Sequence, residues 1–152
     1  MNHFKKIDVE FIKEKLNHIQ EVFSKYEDTI IVAYLFGSFH NGKASELSDI
    51  DIAVLYNKNI SMDKLNEIEG LLFEDLTEFF NTDEIDLTSL NDAPITIQYG
   101  VLINKQRIYY SSKEQVIDFE NHVVLNYLDI KPYHDEMNKA FIQFMSEEVI
   151  NG

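Results

Sequence analysis

Two aspartates spaced by two, Asp49 and Asp51, open an apolar run that reads Asp49-Ile50-Asp51-Ile52-Ala53-Val54-Leu55. In a strand, residues i and i+2 point to the same face, so this spacing sets two carboxylates side by side. Like charges that close repel and cost stability unless a cation sits between them. Hard divalent ions such as Mg²⁺ favour oxygen ligands of this kind and complete their shell with water and substrate phosphates. Upstream, an apolar run from Thr29 to Phe36 delivers the chain to Gly37-Ser38. Glycine permits close backbone approach, and a turn there offers N–H groups and the Ser38 hydroxyl to phosphate oxygens. Read together, these residues suit chemistry on a metal-bound nucleotide. The plainer alternative is a solvated strand start beside an ordinary turn.

The elements that must position these groups are legible from hydrophobic period. Val9, Ile12, Leu16, Ile19, Val22, Phe23 and Tyr26 recur every three or four residues, which predicts one amphipathic helix over Asp8 to Tyr26 with Asp8 as its N-cap. His18 falls among its polar positions and reads as exposed. Strands are expected at Ile30 to Phe36 and Asp51 to Leu55, joined by ten loop-like residues, Phe39 to Ser48. Ser61 is a plausible cap for a helix with Leu65, Ile68, Leu72, Leu76 and Phe79 inward, fading near Asn81-Thr82-Asp83. Gly70 in its middle costs about 1 kcal/mol relative to alanine.

Glu84 to Leu90 forms a third strand, with Ile85, Leu87 and Ser89 on one face and Asp86 with Thr88 on the other. Asp86 alone reads equally as a surface residue or as a third acid beside the first two. Asp92-Ala93-Pro94 suits the start of a short helix with proline at its first position. Val101 to Ile103 and Arg107 to Ser111 are apolar enough for one strand or two around Asn104-Lys105-Gln106. From Lys113 the chain is helical nearly to its end. One stripe runs through Val116, Phe119, Val123, Tyr127 and Ile130. Pro132 should break or kink the helix. A second stripe then runs through Met137, Phe141, Phe144 and Met145 to about Val149. The expected fold class is α/β (α+β), a small mixed sheet flanked by helices. It comprises a core over 1–112 and a C-terminal helical extension of the same domain over 113–152.

Composition limits what such a site can serve. The chain has 152 residues, 45% of them apolar, which is enough for one real core. It holds no cysteine, which excludes disulfides, zinc–thiolate sites and thiol nucleophiles among these residues. No run has the length of a membrane span, and the first residues lack the apolar core of a secretion signal, so a cytoplasmic location is expected. The net charge is −14, with Arg107 the only arginine. Gripping a long nucleic acid takes clustered Lys and Arg, so a polymerase working on long DNA is disfavoured. A small nucleotide whose charge a metal offsets remains compatible. An acidic surface also suits a basic protein partner, although solubility alone accounts for it.

The Gly37-Ser38 turn followed by Asp49-Ile50-Asp51 resembles the signature of the DNA polymerase β superfamily of nucleotidyltransferases. The match extends over Ser48 to Val54, Ile85-Asp86-Leu87 and the tail Tyr127-Leu128-Asp129-Ile130-Lys131-Pro132-Tyr133, where it resembles the MNT-domain (MntA-type) antitoxins of HEPN/MNT toxin–antitoxin pairs. The resemblance implies a polymerase β-like core in which Asp49, Asp51 and Asp86 are catalytic and bind Mg²⁺. It further implies that Gly37, Ser38 and Lys43 bind the nucleotide, ATP. The implied activity is transfer of AMP to a tyrosine of a HEPN ribonuclease toxin, which silences it. One departure stands out: where members commonly carry arginine in the loop after Gly-Ser, this chain has Asn41, followed by Gly42 and Lys43. Lys43 then counters phosphate charge as a point charge, without arginine's fork. Two other readings remain open, an antitoxin that acts by occlusion alone and a small-molecule nucleotidyltransferase of the antibiotic-modifying kind.

Overall fold

The computed structural model describes residues 6–104 and 106–151. Residues 1–5, Lys105 at the expected turn and the Val149 side chain of the second stripe lie outside the described residues. A four-stranded mixed sheet in the order β3-β2-β1-β4 forms the centre. Its strands are β1 (Ile30–Phe36), β2 (Ile50–Tyr56), β3 (Ile85–Ser89) and β4 (Gln106–Tyr110). β1 runs antiparallel to both β2 and β4, whereas β2 and β3 are parallel. A parallel pair needs a crossover, and α4 (Met62–Phe80) supplies it. Ser61 caps α4 by accepting the Lys64 N–H, and Asn81 ends it in the left-handed conformation at φ 55°.

Strand alternation gives the sheet two apolar faces. Ile50, Ile52 and Val54 of β2 join Ala33 and Leu35 of β1 in a core with Ile68, Leu72, Leu76 and Phe80 of α4. The opposite face holds Val32, Tyr34, Ala53 and Leu55, covered by Val101 and Leu102 of α5 (Ile95–Ile103) and by Val116 and Val123 of α6 (Lys113–Asn151). Arg107 on β4 fastens α6 to this face. Its Nε donates to Oε2 and its Nη2 to Oε1 of the buried Glu120 carboxylate, each at 3.0 Å, the bidentate geometry that makes such a pair strong.

Several sequence expectations need correction. The first helix is not continuous: α1 (Val9–Leu16) and α2 (Gln20–Phe23) are separated, and a 3₁₀ turn follows over Ser24–Tyr26. At the break Asn17, His18 and Ile19 donate to the carbonyls three residues back, so the i→i−4 ladder gives way to tighter turns. Asn17 and His18 are weak helix formers, which places the break there. Within the first loop, Ser38–Asn41 forms a single-turn helix, α3. In α4 it is Phe80 that is fully buried, while Phe79 is half-buried under the Lys15 ammonium.

Val101 to Ile103 is the end of α5, not a strand, and Pro94 stands just before its first residue. The chain must cross from β3 at one sheet edge to β4 at the other, about 14 Å over three strand spacings. A nine-residue helix is about 14 Å long and spans that gap. Apolar residues on every side of α5 conceal its helical period. Finally, α6 continues through Pro132 without ending. Proline forfeits one hydrogen bond there, and the helix has 39 residues over which to absorb that loss. Val116 and Val123 are buried, but Ile130 and the second stripe are exposed.

Gly70 is exposed on α4, and a Cβ added there meets nothing within 4 Å. Gly70→Ala should therefore stabilise the fold by about 0.5–1 kcal/mol. Urea unfolding monitored by circular dichroism checks this, and a lower midpoint would contradict the packing described for α4.

Candidate active site

The aspartates come together through strand register. Phe36, the last residue of β1, pairs with Asp51 on β2, and Asp51 pairs with Asp86 on β3. In-register neighbours point to one face, so Asp51 and Asp86 stand beside each other on the face that carries Tyr34, Ala53, α5 and α6. Asp49 lies one residue ahead of β2 at the end of a pinned loop. Within that loop the Ser45 N–H donates to Ser48 Oγ at 2.8 Å and the Ser48 N–H donates to the Ser45 carbonyl at 3.0 Å. The Ile50 N–H then donates to the Glu84 carbonyl, tying the start of β2 to the start of β3.

Gly37 closes the site from the other side. Its φ of 70° with ψ −152° is a backbone conformation that side-chain-bearing residues rarely adopt. A Cβ built there would lie 2.1 Å from Asp51 Oδ2. The absence of a side chain is what leaves room for the Asp51 carboxylate. Ser38 begins α3 and is half-buried beside this turn. Lys43 is exposed after Gly42, which ends α3 in the left-handed conformation at φ 77°. Asn41 is engaged in the loop itself, where its Oδ1 accepts the Lys43 N–H at 3.1 Å.

Electrostatics mark Asp51 as the centre. Burial pushes its pKa up to about 6, and the charges of Asp86 and then Asp49 add to the shift. Mutual repulsion of this kind reports that the three carboxylates share one field. Among the described residues, however, no three acidic or imidazole side chains are gathered into a metal cage. What the backbone establishes is the register that sets Asp51 opposite Asp86, with Asp49 one residue ahead of β2. The donor set fits a hard cation: oxygen ligands only, two from adjacent strands and Asp49 from the loop just ahead of β2, around a carboxylate destabilised by burial and neighbouring negative charge. A cleft of about 840 Å³ lined by Asn57, Asn91, Gln98 and His122 lies at the far end of the sheet, beyond the last residues of β2. It is too remote from Asp51 to be the reacting centre.

Of the candidate residues Asp49, Asp51, Asp86, Gly37, Ser38 and Lys43, the backbone brings the first four to one corner of the sheet. The Arg107–Glu120 clamp behind that corner is an addition to the set read from the sequence. Glu120 sits on the stripe of α6 that turns inward, three residues before Val123, and a lone acid at such a position is the signal for a buried ion pair.

Comparison with known proteins follows the same lines. The family description "Polymerase beta, Nucleotidyltransferase" matches residues 17–114. A toxin–antitoxin crystal structure with AMP-PNP has 21% identity and a TM-score of 0.66, covering 84% of this chain and 98% of that chain. The tri-AMPylated HEPN toxin of Shewanella oneidensis in complex with MNT antitoxin matches at 19% identity and TM-score 0.62, over 86% of this chain and 98% of that chain. The MntA–HepT toxin–antitoxin structure gives the same values. No curated protein matches the chain.

Two outcomes are expected at this site. In metal-free protein, the folded state holds the Asp51 proton more tightly than the unfolded chain does. Stability therefore falls as pH rises from the ordinary carboxylate range through about 6. Asp51→Asn should remove that loss and unfold at higher urea than wild type at pH 7 and above, with the difference shrinking toward pH 4. A wild-type midpoint that climbs from pH 4 to pH 7 relative to the variant would reverse the sign and discredit the site. Gly37→Ala should destabilise the protein by about 1–3 kcal/mol through backbone strain and the Asp51 contact. Thermal unfolding measures that loss.

Proposed function

The chain belongs to the polymerase beta nucleotidyltransferase family, and we propose that it works there as an adenylyltransferase antitoxin, moving AMP from ATP to a tyrosine hydroxyl of a HEPN toxin. The observation that carries this reading is the in-register pairing of Asp51 with Asp86 beside the Gly37 turn. A metal–triphosphate site needs such a pairing, and a solvated strand end has no use for it. Support comes also from the fold, shared with antitoxins whose structures hold AMP-PNP or an AMPylated toxin.

Each group has a role in this reaction. Asp49, Asp51 and Asp86 would hold Mg²⁺, which when bound supplies Lewis-acid stabilisation of charge on the phosphates. The Gly37 turn and the Ser38 hydroxyl face the outer phosphates, and Lys43 counters their charge. Asp86, exposed on the edge strand, accepts or orients the proton of the attacking hydroxyl. The hydroxyl oxygen bonds to the α-phosphorus, the bond from α-phosphorus to the bridging oxygen breaks, and pyrophosphate departs. Transfer of this type is mostly positioning and charge stabilisation, which a rigid sheet corner provides. The −14 charge agrees with a protein acceptor and argues against a long nucleic-acid one.

Asp49→Asn or Asp51→Asn should lower AMP transfer to the partner by at least about a hundredfold, since each removes a ligand from the reacting centre. Mass spectrometry of the partner after incubation with ATP and Mg²⁺ reads the result. Full neutralisation of the toxin by an unreactive double variant would favour occlusion over chemistry. Full labelling by either variant would overturn the assignment of these residues.

A further inference from the structure

The last helix outruns the domain on which it packs. Val116 and Val123 of α6 are buried, with Phe119 and Tyr127 half-buried. At 100° per residue, Ile130, Met137, Phe141 and Phe144 continue this inward stripe on one face. No part of the described domain covers them. Met137 is 72% exposed, Phe141 63% and Phe144 57%, while the residues before them on the same stripe are buried. The face that fixes α6 to the sheet is therefore the face that it carries out into solvent.

We propose that this projecting face, Ile130 to Phe144, is a docking surface for a basic protein that presents an apolar helical groove. Under the function proposed above, on which this identification rests, that protein is the toxin. Area, length and charge all bear on the choice. Ile130, Tyr133, Met137, Phe141, Phe144 and Met145 leave roughly 700 Å² open, taking about 200 Å² for a large side chain. One partner contributes about 800 Å² to an interface of standard size. The face is about 21 Å long, and anchors at i, i+4 and i+7, Met137, Phe141 and Phe144, suit recognition of a helix in a groove.

Charge selects among occupants. Each copy of this chain carries −14, so two copies repel. An anionic lipid surface is repelled in the same way. Around the face itself acids exceed lysines by one, Asp129, Asp135 and Glu136 against Lys131 and Lys139, so the charge that bears on the choice is the −14 of the whole chain. A ribonuclease must display Lys and Arg to hold RNA, so it approaches this acidic chain with complementary charge. Docking through α6 also links the partner to the sheet, because the same helix is fastened through Glu120 to Arg107 on the face that carries Asp51.

The probe is a HEPN-type protein from the same genome, with binding to the intact chain measured by calorimetry. Phe141→Asp with Phe144→Asp should weaken binding at least about a hundredfold while leaving the thermal midpoint of the chain unchanged, because both residues lie outside the core. Phe141→Leu with Phe144→Leu should stay within about tenfold of wild type. The inference is overturned if the double aspartate variant binds as tightly as wild type. It is also overturned if the chain alone sediments as a dimer that those aspartates dissociate, since the face then serves a second copy. Asp51→Asn separates the two readings, because it should keep docking and lose AMP transfer. Docking that depends on the phenylalanines without any AMP transfer by wild type would remove the proposed function alone. AMP transfer by wild type with docking indifferent to the phenylalanines would remove this inference alone.

Discussion

Two carboxylates held opposite each other on adjacent parallel strands are an unfavourable arrangement, and the rest of the molecule is what maintains it. Asp51 and Asp86 cannot relax apart by moving their backbones, because the ladder between β2 and β3 is fixed by burial on both sides. Burial first, and then the charges of Asp86 and Asp49, raise the Asp51 pKa. Gly37 adds to the constraint by admitting the Asp51 carboxylate into space that any side chain would fill. A site destabilised by its own charge is one that a cation and a polyphosphate can stabilise, which is why the corner suits nucleotidyl transfer.

The face of the sheet matters as much as the corner. Asp51 and Asp86 share their side of the sheet with α5 and α6, while α1, α2 and α4 cover the opposite side. The Arg107–Glu120 pair joins the edge strand to α6, with buried Tyr34 beside it. Burial and then the charge of Glu120 raise the Tyr34 phenol pKa. The chain uses its sole arginine to hold a helix rather than to meet phosphate. Lys43, exposed just past α3, is a cationic side chain close in sequence to the Gly-Ser turn.

Acidity and architecture agree. A domain with few cations has little means of holding RNA or DNA, and its long terminal helix offers apolar area in place of charge. No helix among the described residues is long and apolar enough to cross a membrane. The structural relatives crystallised with toxins share this fold.

The sequence by itself determined the chemistry of the corner. The Gly37-Ser38 turn, the Asp49-x-Asp51 spacing and the alternation that sets Asp86 apart from Ile85 and Leu87 are local properties, governed by strand period and turn geometry within a few residues. Only the tertiary structure decided the pairing of Asp51 with Asp86, because register between strands separated by a nineteen-residue helix depends on how α4 packs. It also decided the helical state of Val101 to Ile103, where the distance between sheet edges overrides a pattern that reads as strand. The break at Asn17 to Ile19 and the passage of α6 through Pro132 belong to the same class. In each, local preference differs by only a few kcal/mol, and packing or the length of the surrounding element settles the outcome.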